Sequence, residues 1–308
     1  MAKHAARLGQ SFGSSRETLN VGNNEIETIP DIKVRDAYRS TVEYVFSDGI
    51  GKISAQFARQ VATKYGLSST PSAFQIRYGG FKGVVAVDPT SSKKLSLRQS
   101  MKKYESNNTK LDVLQFSKYQ PCFLNRQIIT LLSTLGVEDV VFEKKQREAV
   151  AQLDTILTDP AKAHEALKLM APGEIAKVLK EMLKCGYKPD SEPFLSMMLQ
   201  TFRASKLLDL RTKTRIFIPD GRSMMGCLDE TRTLEYGQVF VQFSTAGRGQ
   251  FYDDSISYFK HNSILEGKVA VAKNPCLHPG DIRILKAVDV PALHHMVNCI
   301  VFPQKGNR

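Results

Sequence analysis

The sequence predicts an α+β protein in which two strand-rich units flank a helical insertion. Three observations carry that expectation. Residues 1–137 alternate apolar and polar side chains between frequent Gly turns. Residues 138–213 carry apolar side chains at three-to-four spacing instead. From Thr214 the alternation returns and runs to Arg308. A chain of 308 residues can bury a sizeable core, as one large domain or two smaller ones.

In the first zone, Tyr44–Phe46 reads as a short strand closed by Ser47-Asp48-Gly49. Ser54–Tyr65 reads as an amphipathic helix with Phe57, Val61 and Ala62 on one face and Gly66 as its stop. Ala73–Arg77 and Gly83–Val87 are expected as strands about a Gly79-Gly80 turn, and Ser91–Ser106 as a basic loop carrying Lys93, Lys94, Arg98, Lys102 and Lys103. The middle zone offers helices at Asp139–Leu157, from Asp159-Pro160, at Pro172–Cys185 and at Ser191–Leu210. Ile175, Val178, Leu179, Met182 and Leu183 form the apolar face of the Pro172–Cys185 helix, and Gly186 is its C-cap. Met197, Met198, Met224 and Met225 read as core or turn fillers. In the third zone strands are expected at Arg215–Pro219, Gly226–Leu228, Gln238–Phe243, Lys268–Ala272, Ile282–Ala287 and Cys299–Phe302.

Apolar content of 42% and charged content of 24% are ordinary for a globular protein, but a net charge of +12 is not. Such an excess suits a polyanionic partner, because cations displace the counterions of phosphates; the alternative is a solvated basic surface. The five cysteines are odd in number and include no CxxC pair, which argues against a disulfide framework or zinc site and for a reducing, intracellular compartment. No apolar run approaches the roughly 18 residues of a membrane span, so no membrane partner is expected. The basic N-terminal stretch lacks the apolar core of a signal peptide.

Three stretches concentrate unusual residues. Asp48-Gly49-Ile50-Gly51-Lys52 places glycines beside a cation and reads either as a hairpin turn or as a phosphate loop, although its spacing fits no Walker motif. Gln75–Gly83 interleaves Arg77, Tyr78, Phe81 and Lys82 with glycines, suiting either base stacking with backbone tracking or a glycine-rich barrel corner. Lys273–Asp281 presents Lys273, Asn274, His278 and Asp281 from a turn fixed by two prolines; His278 and Asp281 suit an acid–base or metal pair, or a structural turn. His261, His294 and His295 show no ligand spacing, and the acidic pairs Asp229-Glu230 and Asp253-Asp254 would diverge on a strand.

The words FSDGIGKIS, PSAFQIRYGGFKGVVAVD, LSLRQSMKKY, PCFLNRQIITLLSTLG, SEPFLSMML, GCLDETRTLEYGQVFV, VAKNPCLHPGDIRIL and CIVFPQKG resemble the catalytic half of cellular RNA-dependent RNA polymerases of the RNA-silencing type, most closely plant members. That resemblance implies two double-psi β-barrels, at 1–137 and 214–308, joined by a helical connector at 138–213, the second barrel being incomplete. It implies RNA-directed synthesis of double-stranded RNA in silencing and antiviral defence, with single-stranded RNA template and nucleoside triphosphates as substrates. RNA-silencing machinery would be its partner and the nucleus or cytoplasm its place. The resemblance marks Lys52, Arg77 and Lys82 as phosphate-facing residues of the first barrel. Lys273-Asn274-Pro275-Cys276-Leu277-His278 is similar to the Arg-x-Pro-Thr-Leu-His element of multisubunit polymerases, which sets Lys273, Asn274 and His278 beside the incoming ribonucleotide. In the family Mg²⁺ is held by an Asp-x-Asp-Gly-Asp motif, expected just past Arg308. A chain of this extent is therefore expected to bind no Mg²⁺ and to be inactive alone. The alternative is a non-catalytic RNA-binding remnant that keeps the basic groove.

Overall fold

The computed structural model describes residues 15–35, 43–171, 173–244 and 262–306; Asp253, Asp254 and His261 lie outside them. The first unit is a seven-stranded sheet. Its strands are β1 (Arg16–Asn20), β2 (Ile26–Ile29), β5 (Ile50–Ser54), β6 (Ala73–Tyr78), β7 (Phe81–Asp88), β8 (Leu95–Arg98) and β9 (Lys110–Phe116), in the order β1-β9-β6-β7-β5-β8-β2. A short ribbon of β3 (Lys33–Arg35) and β4 (Glu43–Val45) precedes β5. Two ladders, β5·β7 and β2·β8, are parallel and the remainder of the sheet is antiparallel.

Helix α1 (Ala55–Tyr65) follows β5 directly. The Ser54 hydroxyl accepts from the Phe57 amide at its start, and Gly66 ends it at φ +85°. Its Phe57, Ala58 and Val61 pack on the sheet face formed by Ile53, Phe74, Ile76, Val85, Leu95 and Leu97. Burial of each large side chain there contributes about 1.5–3 kcal/mol.

A ribbon of β10 (Pro121–Phe123) and β11 (Phe217–Arg222) brackets the helical region. The helices are α2 (Arg126–Thr134), α3 (Asp139–Thr155), α4 (Pro160–Met170), α5 (Glu174–Lys184) and α6 (Pro193–Lys213). Asn125, Asp159 and Glu192 cap α2, α4 and α6 through their side chains. Leu153, Ile156, Leu167, Leu179, Leu195 and Leu199 fill their shared core.

The second unit orders β12 (Met225–Leu228), β17 (Cys299–Phe302), β13 (Gln238–Ser244), β16 (Ile282–Ala287) and β15 (Gly267–Ala272) side by side, with β14 (Asn262–Ile264) on β13. Here too parallel ladders (β12·β17, β13·β16) mix with antiparallel ones. The two units share a core: Ile50, Ala73 and Ala86 of the first sheet meet Cys227, Phe240, Cys299 and Val301 of the second.

Four expectations need correction. Ser91–Ser106 is not a basic loop throughout, since Leu95–Arg98 is a wholly buried strand between β5 and β2. Helix α2 lies within the zone read as strand-rich, so the helical region between the two units begins at Arg126. Ile175 and Val178 are exposed, because α5 buries the neighbouring stripe Ala176, Leu179 and Leu183. Met197 faces solvent, 57% exposed, on the outer side of α6.

Candidate functional site

Strand alternation decides which cations meet. In the ladders Lys52 pairs with Ala86, and Arg77 pairs with Lys82. Ala86 and Lys82 are four residues apart on β7, so all three cations lie on one face of the first sheet, opposite the α1 side. Lys52 lies about 13 Å from the Arg77–Lys82 pair along that strand, at roughly 3.3 Å per residue.

Arg77 and Lys82 are half-buried cross-strand neighbours joined by the Gly79-Gly80 turn. Gly80 adopts φ +84° and a Cβ there would meet the Tyr104 carbonyl at 2.0 Å, so only glycine lets the Lys102–Tyr104 segment close over the turn. That segment brings a third cation: the Lys103 amide donates to the Gly80 carbonyl, and its ammonium to Ser100 O at 2.5 Å. Lys82 titrates below an ordinary lysine, because burial disfavours its charge and Arg77 and Lys103 repel it. Burial also pulls Arg77 down. Among the described residues no carboxylate forms an ion pair with Arg77 or Lys82. A phosphate would relieve the repulsion and replace the lost solvent.

Lys52 is already partnered. Its ammonium lies 2.9 Å from Asp88 and 3.6 Å from Glu230, at the wall of a cavity of about 430 Å³ between the two units. Glu230 in turn takes Arg98 Nη2 at 2.9 and 3.2 Å. Arg98, only 2% exposed, also donates to the Ile50 and Pro30 carbonyls. Sequence reasoning missed Arg98 as the buried member of this network. Its signal is weak in sequence: Arg98 shares the polar face of the alternating run Leu95-Ser96-Leu97-Arg98, a face that the fold buries along with the leucines.

The Asp48–Lys52 stretch resolves as a turn. Gly49 sits at φ +75°, its amide donates to Ser100 Oγ, and its carbonyl accepts from Val84. The Ile50 amide goes to the Ser47 carbonyl. Gly51 is required because a Cβ would lie 2.5 Å from the Ser96 carbonyl. These amides are not available for a phosphate.

The Lys273–Asp281 turn contains a cis Asn274–Pro275 bond and packs against α2. Asp281 accepts the Leu277 and His278 amides, which hold its carboxyl below the ordinary range, and His278 Nδ1 accepts the Gly280 amide. His278 and Asp281 therefore close the turn rather than face each other as an acid–base pair. Lys273, Asn274 and His278 are exposed together at the β15–β16 end of the second sheet, in a different sheet from the ladder that carries Arg77 and Lys82. The Asp229 carboxylate, fully buried, accepts from Thr231, Thr233 and the Leu234 amide, while the adjacent Glu230 turns to Arg98. Among the described residues no group of three His, Cys, Asp or Glu side chains is placed to hold a metal ion, and no helix is long and apolar enough to cross a membrane.

A family model described as RNA dependent RNA polymerase matches residues 1–308. RNA-dependent RNA polymerase 1 of Arabidopsis thaliana is 70% identical, matching 100% of this chain and 27% of its own length. Probable RNA-dependent RNA polymerase 1 of Oryza sativa subsp. japonica is 64% identical, matching 100% of this chain and 40% of its own. The chain thus spans well under half the length of these curated relatives. The solved structure of RNA dependent RNA polymerase QDE-1 from Thielavia terrestris superposes with TM-score 0.73 at 22% identity, over 99% of this chain and 35% of that one.

Proposed function

Because this chain belongs to the RNA-dependent RNA polymerase family, we propose that it forms the nucleotide- and RNA-binding part of template-directed RNA synthesis. Single-stranded RNA template and nucleoside triphosphates are its ligands, and the double-stranded product enters RNA silencing. The observation that carries this reading is the Arg77–Lys82–Lys103 cluster of half-buried cations: among the described residues neither Arg77 nor Lys82 forms an ion pair with a carboxylate, although Asp112 lies opposite Arg77 in the β6·β9 ladder. Lys273, Asn274 and His278 form a second contact, to the ribose or phosphates of the incoming nucleotide. Lys52 holds a different place in this account: its two carboxylate partners make it a bridge between the units first and a phosphate ligand only if those ion pairs open.

Both β units are read as double-psi barrels and the helices between them as a connector. Parallel and antiparallel ladders mixed within each unit support that reading. The Mg²⁺ of the family needs several carboxylate oxygens. The described residues do not fit it: Asp88 is held by Lys52, Glu230 by Arg98, Asp229 by Thr231 and Leu234, and Asp281 by backbone amides. What these side chains supply is binding and orientation.

The test is RNA affinity across a salt series. Arg77→Gln and Lys82→Gln should each weaken binding of single-stranded RNA and lower the slope of log affinity against log salt by about 1. Lys52→Gln should change the slope less. Unchanged slopes in Arg77→Gln and Lys82→Gln would refute the assignment. A normal salt response in a chain that makes no RNA product would favour the second reading, an RNA-binding module without turnover.

A further inference from the structure

A second cleft between the two units lies outside everything assigned above. Its volume is about 230 Å³, far more than one water requires, and its walls include Gln75, Gln115, Gln120, Ser223, Met225 and Asn298. Gln75 pairs with Gln115 in the β6·β9 ladder, and the Gln120 amide donates to Gln115 Oε1 at 3.3 Å. Among the described residues none that lines it is acidic. Gln75 is two positions from Arg77 on the same face of β6, about 7 Å along the strand.

Cations resting on aromatic rings flank the cleft. Lys118, exposed at its rim, lies 4.9 Å from the centre of the Phe116 ring. Arg222, next in the chain to Ser223, lies 4.9 Å from the Tyr119 ring and 5.6 Å from that of Phe243. Among the described residues, two buried side-chain polar atoms have no hydrogen-bond partner, Arg222 Nε and Gln242 Oε1. Each belongs to a residue joined to the cleft wall through the backbone: Arg222 precedes Ser223, and the Gln242 carbonyl accepts the Asn298 amide. Side-chain amides offer a donor and an acceptor each, the pattern that pairs with the edge of a nucleobase, and cations at the rim suit the phosphates on either side of it.

Building on the RNA-binding reading, we infer that this cleft takes one unpaired base of single-stranded RNA, while Arg77 and Lys82 hold backbone phosphates nearby. The amides of Gln75, Gln115 and Gln120 contact the base edge, the Met225 side chain gives an apolar surface, and Lys118 and Arg222 bracket the nucleotide.

The test is fluorescence anisotropy of the 308-residue chain with a short labelled oligouridylate and with the same oligomer carrying abasic central residues. The wild-type chain should prefer the base-bearing oligomer by about tenfold, the lower end of what one base contact is worth. Gln75→Leu with Gln115→Leu should remove most of that preference while leaving the salt slope set by Arg77 and Lys82. Gln120→Leu, at the half-buried rim, should remove part of it and serves where the double variant fails to fold. Equal binding of the two oligomers by wild type overturns the cleft and leaves the phosphate reading standing. A preference that survives in every folded variant also overturns it, because the base is then held elsewhere. Absence of RNA binding at low salt overturns both readings together.

Discussion

Removing Glu230 tests whether the two β units are clamped by a buried charge. In Glu230→Ala the Arg98 guanidinium, 2% exposed, loses both carboxylate contacts at 2.9 and 3.2 Å and keeps only the Ile50 and Pro30 carbonyls. Breaking a buried pair by deleting one partner costs about 3–5 kcal/mol, mostly because the other charge is left without compensation. The lower end applies here, since Glu230 keeps 21% side-chain exposure and water can reach the vacated site. A loss of about 3 kcal/mol lowers the melting temperature by roughly 5 °C in a chain of 308 residues. Urea denaturation followed by circular dichroism measures it directly. Arg98→Met combined with Glu230→Leu supplies the control, because a well-packed apolar pair replaces a buried ion pair at little net loss. That double variant should recover to within about 1 kcal/mol of wild type. A Glu230→Ala chain within about 0.5 kcal/mol of wild type, the range of an ordinary surface change, would refute the clamp.

Other parts of the framework give further expectations. Burial would raise the Asp31 carboxyl, but Ser100 and Ser47 donate to it and hold it below its ordinary value of 3.8. Its contribution is thus complete above about pH 3.8 and lost as pH falls through the lower folded value, so Asp31→Asn should flatten the acid limb of a stability–pH profile. A Cβ at Gly83 would lie 2.2 Å from the Gly49 carbonyl, so Gly83→Ala should destabilise by about 3 kcal/mol or more in urea titration. At Gly237 nothing lies within 4 Å, and Gly237→Ala should carry only the strain of its φ of +83°, about 1–2 kcal/mol. Cys299 is pushed up by the Cys227 thiol beside it and by burial, so a thiol reagent should label exposed Cys185 quickly and Cys227, Cys276 and Cys299 only on unfolding.

What the sequence reveals here tracks how local each cause is. Helix α1 is legible because Ser54 and Gly66 cap it from its own ends, and Ile282–Ala287 and Cys299–Phe302 because turn residues bound them. Arg77 and Lys82 meet across a two-residue turn, so reading them as one cluster needs only that hairpin. Strand Leu95–Arg98 fails the same reading: its alternation covers only four residues, Ser96 and Arg98 read as a solvent face although both are buried, and the lysines on either side make it look like a loop. Its Arg98 finds Glu230 at a separation of 132 residues, a pairing no local window contains. Helix α5 offers two adjacent apolar stripes, Ile175–Val178–Met182 and Ala176–Leu179–Leu183, and periodicity alone cannot choose which one faces α4. The same logic separates the two RNA contacts. Phosphate binding needs cations gathered by one hairpin and is visible in QIRYGGFKG. Base binding needs amides from Gln75, Gln115 and Gln120 facing the second unit's Met225, ordinary residues in sequence whose convergence exists only once both sheets have packed.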